Sequence, residues 1–379
     1  MTQADSGHDR YYRPELDWLR FVAFSLVFMM HSFPQDAAAY RALGIPTWIG
    51  QHIILPIVES GGYGVDLFFT LSAFLITELL LREKELTGRV HIRSFYVRRI
   101  LRIWPLYVTF ILVAMPFDVL WYNIPIEYHV THLAFTGNWY LVYHGLLPSL
   151  CSPLWSVCIE EQFYAVWPNL VQHAKQRRFA TILCALFAFT CVYRYVYVHS
   201  DPEPAIGVWC NTLARLDGFA VGGLLALELH RRAVRVSRTG RILLAITAFT
   251  TFWLCGSAPF AGKFGPAAVW TYALAAGASA LLILAFAGSL GTNTTSGIGR
   301  VFSYLGKVSY GAYVFHFAVL HAMDAAISEI WPASEWTWIP RTIVAGVVTL
   351  VISAVSYELL EKPFLRLKRR FTFVQSRPE

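Results

Sequence analysis

The chain has 379 residues and a formal charge of +7, from 31 Lys and Arg against 24 Asp and Glu. Hydrophobic residues make up 56% and aromatics 16%, while charged residues supply 15%, well short of the quarter or so found in soluble domains. This balance excludes a disordered chain, a collagen, a coiled coil and a small disulfide scaffold. It predicts an all-α, polytopic membrane bundle.

In chain order, apolar runs long enough to cross a bilayer fall at about 16–33, 62–81, 103–121, 154–172, 179–198, 212–229, 242–258, 267–289, 305–326 and 338–360. Between the third and fourth, residues 122–153 hold an apolar piece from Trp139 to Leu147 interrupted by His129, His132, Asn138 and His144. We read this segment as an external loop with an interfacial or re-entrant part; the alternative is an eleventh span. An apolar run from Phe21 to Met30 followed by Ala37, Ala38 and Ala39 could also be read as a leader with a cleavage site, which would discard Asp17, Arg20 and His31. The ten-span reading keeps them.

Ten spans put both ends of the chain on one side, and the basic residues choose which. All of the 31 except Arg41, Arg194, Arg215, Lys263 and Arg341 sit at the start, at the end, or in the connections after spans two, four, six and eight. Both termini are therefore expected in the cytoplasm, and the basic charge serves topology rather than nucleic acid. We expect a tail over 1–15, one membrane domain over 16–365 and a basic tail over 366–379, placed in the inner membrane. The six Cys show no metal-ligand spacing. Cys151 and Cys210 both lie on the outer side, where a bridge and two inert thiols are both open.

An ionisable group at mid-bilayer costs about 2.5–3.5 kcal/mol on insertion scales and asks for a reason. His31, Asp66, Glu160, Glu161, Arg194, Arg215, Asp217, His316, His321 and Asp324 are such groups. Arg20 and His31 share a face of the first span about 16 Å apart. Counting from the span ends puts His31, Asp66 and Glu160 at similar depth, and imidazole beside carboxylate is the minimal kit for a general base. At the inner face Arg99 and Arg102 are neighbours on one helical turn, suited to phosphate or to lipid headgroups.

With these residues in view, the chain resembles the acyltransferase-3 family of integral membrane O-acyltransferases. Leu16 to Arg20 with His31 is similar to that family's opening LDGLR and its histidine eleven residues after the Arg. Gly64 to Thr77, with Asp66 and Ser72, resembles GVDLFFVLSGFLIT, Ala73 standing where Gly is usual. Phe95 to Pro105 carries the RxxR element as Arg99 and Arg102. Leu154 to Tyr164, with Trp155 and Glu160, resembles LWSLSVEEQFY. Arg215 and Asp217, Ser309 to Tyr313 with His316, and Glu361 to Pro363 match later segments; the Pro often found just after His316 and Phe317 is missing.

The resemblance implies a ten-span enzyme that moves an acyl group, usually acetyl, from cytoplasmic acyl-CoA to a hydroxyl of a sugar-containing acceptor. It implies His31 and Glu160 as the catalytic pair and Arg20, Arg99 and Arg102 as contacts to the CoA phosphates. Asp17, Asp66, Ser72, Trp155, Arg215, Asp217 and His316 would support substrate or site, with no metal. A His-linked acyl intermediate is the mechanistic rival to direct transfer. Many relatives carry an added SGNH-type domain; this chain stops 18 residues after Glu361, so none is expected, and the acceptor meets the membrane domain directly or through a separate extracytoplasmic relay protein. The competing class is a secondary transporter or proton-coupled carrier, which also uses intramembrane His, Asp and Glu; no internal repeat speaks for it.

Overall fold

The computed structural model describes residues 11, 13–200, 205–232, 234–257, 265–287, 297–330 and 336–374. Residues 1–10 and 375–379 of the expected tails, and Lys263, lie outside that set. Among the described residues, ten long helices follow the ten apolar runs in order. They are α1 (Pro14–Ser32), α2 (Gly64–Thr87), α3 (Ile92–Tyr122), α4 (Trp155–His173), α5 (Gln176–Ser200), α6 (Leu216–Arg231), α7 (Arg238–Gly256), α8 (Ala268–Ala287), α9 (Gly297–Ile330) and α10 (Trp338–Ser356). No strand occurs among the described residues.

Among the described residues, six helical stretches are long and apolar enough to cross a membrane: Thr47–Thr87, Ile92–Tyr122, Gln176–Ser200, Arg238–Gly256, Ala268–Ala287 and Trp338–Phe371. The polar α1, α4, α6 and α9 hold most of the ionisable residues, and they pack inward. α1 lies between α2 and α9, and α6 lies along α2. Small residues set these distances. A Cβ on Gly222 of α6 would fall 2.2 Å from the Thr70 carbonyl oxygen of α2, and one on Gly306 of α9 would fall 2.1 Å from the Asp17 carbonyl oxygen of α1. Ala73, wholly buried, faces Gly222, so the glycine the family usually has there is replaced without opening the contact.

The segment after α3 forms two helices of eight residues, Ile126–Leu133 and Gly137–His144, each about 12 Å long against the ~30 Å of a hydrocarbon core. Between them Phe135 stacks on Tyr107 of α3, rings 4.8 Å apart. Tyr107 lies fifteen residues, roughly 22 Å, back from the C-terminal end of α3. The chain then returns to that end, where Asp118 accepts from Leu150 N at 2.9 Å, Ser149 Oγ at 2.6 Å and His129 Nε2 at 2.9 Å. The segment is therefore a hairpin of two short helices folded back along α3, neither long enough to cross a bilayer by itself.

Cys151 and Cys210 are both buried thiols without a bridge between them. At the other end of the molecule the stretch expected as a free basic tail is docked as far as described. Arg98 donates to the Phe371 carbonyl at 2.7 Å, and Phe373 stacks on His91 at 4.1 Å.

Candidate active site

His31 sits in the last turn of α1 and His316 in the middle of α9. Their rings are near parallel, 5.1 Å apart, with His31 Nδ1 3.0 Å from His316 Nε2. His316 Nδ1 lies 2.7 Å from the Tyr313 carbonyl oxygen. A carbonyl only accepts, so for neutral rings His316 carries its proton on Nδ1 and offers a lone pair at Nε2. His31 must then donate from Nδ1, which leaves the lone pair on its Nε2. Two hydrogen bonds thus fix the tautomer of a partly exposed histidine through a wholly buried one.

Toward the N-terminal ends of α1 and α3 two cavities adjoin. The outermost is lined by Arg13, Arg20, Arg98, Arg99, Arg102 and Lys368, with Asp17 and Glu83 the acids on its wall. The second reaches inward past Ser72, Glu160, Tyr164 and Ser156 to Tyr313. Arg20, Arg99 and Arg102 line both, so the three expected phosphate contacts do converge. Asp17 holds Arg20 at 2.7 Å, Glu83 holds Arg98 at 2.7 Å, and the Tyr164 ring lies 4.7 Å beneath Arg99. At the inner end the Tyr313 ring is 5.6 Å from His316, so the polar space stops one side chain short of the histidine pair.

The carboxylates are distributed differently from the depth count. Glu160 accepts from Ser72 Oγ at 3.0 Å and from Tyr164 OH at 2.9 Å, and Arg99 and Arg20 act on it electrostatically. It is the acid of the arginine cavity, and the place against His31 Nδ1 expected for it is held by His316. Asp66 turns the other way, to Arg215 at 3.0 Å, beside the Arg194–Asp217 pair at 2.7 Å. All four of these charges are about 99% buried or more. Arg215 lies 4.0 Å over the Tyr272 ring and 5.8 Å from Trp155, so Asp66, Trp155, Arg215 and Asp217 belong to a sealed ion-pair cluster. Equal depth along three helices says nothing of azimuth, which is why the grouping of His31, Asp66 and Glu160 splits.

Reasoning from sequence passed over Tyr313 and Tyr164. Tyr313 is three residues before His316, and Tyr164 four after Glu160; helical spacing puts each on its partner's face, a signal that was available. Among the described residues one group mixes metal-ligand types, Asp118, His129 and Cys151 within 4.8 Å. Its carboxylate is already taken up by the hairpin hydrogen bonds described above.

Comparison with known proteins finds relatives along most of the chain. A peptidoglycan O-acetyltransferase of Listeria monocytogenes is 26% identical over 352 residues, covering 85% of this chain and 54% of that protein. A Bacillus subtilis protein described as a candidate peptidoglycan O-acetyltransferase is 26% identical over 361 residues, covering 88% and 55%. A candidate O-acetyltransferase of Staphylococcus aureus is 23% identical over 345 residues, covering 86% and 56%. The chain spans about half the length of the curated relatives it matches. No solved structure matches. The acyltransferase-3 profile, described as an acyltransferase domain, runs from residue 13 to 358 and so takes in the histidine pair, the second cavity, the ion-pair cluster and Arg20, Arg99 and Arg102: the chain belongs to that family.

Proposed function

We propose that the protein is a multi-pass enzyme of the inner membrane that transfers an acetyl group from cytoplasmic acyl-CoA to a hydroxyl of a saccharide acceptor. The observation that carries this is the convergence of Arg20, Arg99 and Arg102 on two adjoining cavities that lead toward a histidine pair. Three guanidiniums suit the phosphates of CoA, and the helical rise from Arg20 to His31, about 16 Å, suits its extended arm. The relatives described as peptidoglycan O-acetyltransferases support acetyl as the group and a wall glycan as one acceptor class. Ten crossings with both ends in the cytoplasm accord with the distribution of Lys and Arg. A separate relay protein is an alternative to direct contact between the acceptor and the membrane domain.

In this reading His31 Nε2 takes the proton of the acceptor hydroxyl as its oxygen attacks the thioester carbonyl. The ester forms, the carbon–sulfur bond breaks, and the leaving thiolate receives the proton from His31. His316 takes up the hydrogen bond from Nδ1 throughout and stabilises the imidazolium. Glu160, held by Ser72 and Tyr164, keeps Arg20 and Arg99 aimed into the cavity. Purified protein with radiolabelled acetyl-CoA and glycan strands tests the reading. Transfer lost in His31→Ala, with the variant still monodisperse, supports it; full transfer in that variant overturns it. Acetyl-protein accumulating without acceptor would favour the acyl-histidine route instead.

A further inference from the structure

The arginine cavity approaches the histidine pair from one side, and a line of rings leaves it on the other. Phe317 of α9 stands edge-on to His31 at 5.3 Å, His321 follows at 4.6 Å from Phe317, and Tyr122 at the C-terminal end of α3 lies 6.0 Å from His321. Tyr122 is 37% exposed. Beside it Asp324 holds Arg341 of α10 at 2.9 Å, with the acid's side chain 55% exposed. Residues 317, 321 and 324 fall on one face of α9. Arg341 also donates to the Ser32 carbonyl, one residue beyond His31.

The bland account makes Asp324 and Arg341 an interfacial anchor that caps the end of α1. That explains Arg341 and leaves His321 unexplained, a polar ring set between two aromatic ones on a line to His31. Aromatic walls with a few placed hydrogen-bonding groups are what a small polar ligand needs for orientation. The direction matters too, because α1, α3 and α9 all run toward the same end, so this line opens opposite the arginines.

We propose that the His31–Phe317–His321–Tyr122 line is the acceptor subsite, which receives an uncharged pyranose from the outer face. Phe317 and Tyr122 pack on the C–H surface of the ring. His321 and Asp324 take its hydroxyls, and one hydroxyl is thereby delivered to Nε2 of His31. This rests on His31 being the reacting base.

Two measurements on the full chain test it, with uncrosslinked peptidoglycan strands as the acceptor probe. In transfer assays with labelled acetyl-CoA, Phe317→Leu and His321→Leu should each raise the half-saturating strand concentration at least fivefold, and His321→Gln should restore most of it. In a Cys184→Ser, Cys191→Ser background, His321→Cys should react with a membrane-impermeant maleimide added outside intact cells, and strands should slow that reaction. Half-saturation that does not move, or labelling from the cytoplasmic face of inverted vesicles only, overturns the proposal. Absence of strand transfer by the unsubstituted chain, or transfer surviving His31→Ala, counts against the catalytic reading instead.

Discussion

At the scale of single residues, the site turns on which nitrogen of each histidine holds the proton. The Tyr313 carbonyl decides it for His316, and His316 decides it for His31. Removing the second ring leaves the first without its fixed acceptor. His316→Ala should therefore lower kcat by about 10- to 100-fold, a part of the 10²–10⁴ that general base catalysis supplies, with little change in KM for acetyl-CoA. A loss confined to KM would show that His316 serves binding rather than orientation. The arginines act on the other parameter. Arg102→Ala should raise KM for acetyl-CoA by about tenfold, near the 1.4 kcal/mol that one tenfold step represents. The same variant should barely change KM for acetylpantetheine, which has no phosphate; an equal rise for both donors would remove Arg102 from phosphate contact.

Among the elements, the hairpin after α3 shows what was legible beforehand and what was not. Its existence was readable: an apolar stretch too short and too broken by His and Asn to cross. Its depth was not, because the backbone groups at the tip are satisfied by side chains distant in sequence. Tyr107 donates to the His132 carbonyl at 2.8 Å, and Gln162 of α4 donates to the Phe135 carbonyl at 2.8 Å and to Asn138 Oδ1 at 2.9 Å. Non-helical backbone survives at this depth only where protein supplies such partners. Gln162→Leu takes the donor from the Phe135 carbonyl and from the side-chain oxygen of buried Asn138, and should cost about 1–3 kcal/mol, seen as a lower thermal midpoint in detergent. An unchanged midpoint would mean that water reaches the tip. The same limit applies to the helix contacts. The ten long runs and the polar character of α1, α4, α6 and α9 were visible as patterns of hydropathy, whereas the rotation of each helix about its axis was not. Rotation sends Asp66 to Arg215 and leaves Glu160 with Ser72 and Tyr164.

For the molecule as a whole, the intramembrane charges form one group in the sequence, and the structure separates two sets among them. One, with Arg20, Arg99, Arg102 and Glu160, lines the cavities. The other, Asp66, Arg215, Arg194 and Asp217, is sealed among α2, α5, α6 and α8 and ties those helices together. A carrier would need such charges to be exposed in turn, and here each acid has its cation within 3.0 Å. Breaking a sealed pair from one side strands a charge, at about 3–5 kcal/mol, whereas removing both partners costs much less. Arg194→Ala should therefore unfold the protein at markedly lower temperature, and Arg194→Ala combined with Asp217→Ala should recover a large part of the loss. The thermal midpoints of the two singles and the double, read as a cycle, measure the coupling. Additive losses would mean that Arg194 works mainly through its bond to the Ala214 carbonyl, 2.7 Å from Nη1. In that case the cluster holds the turn before α6 rather than the whole bundle.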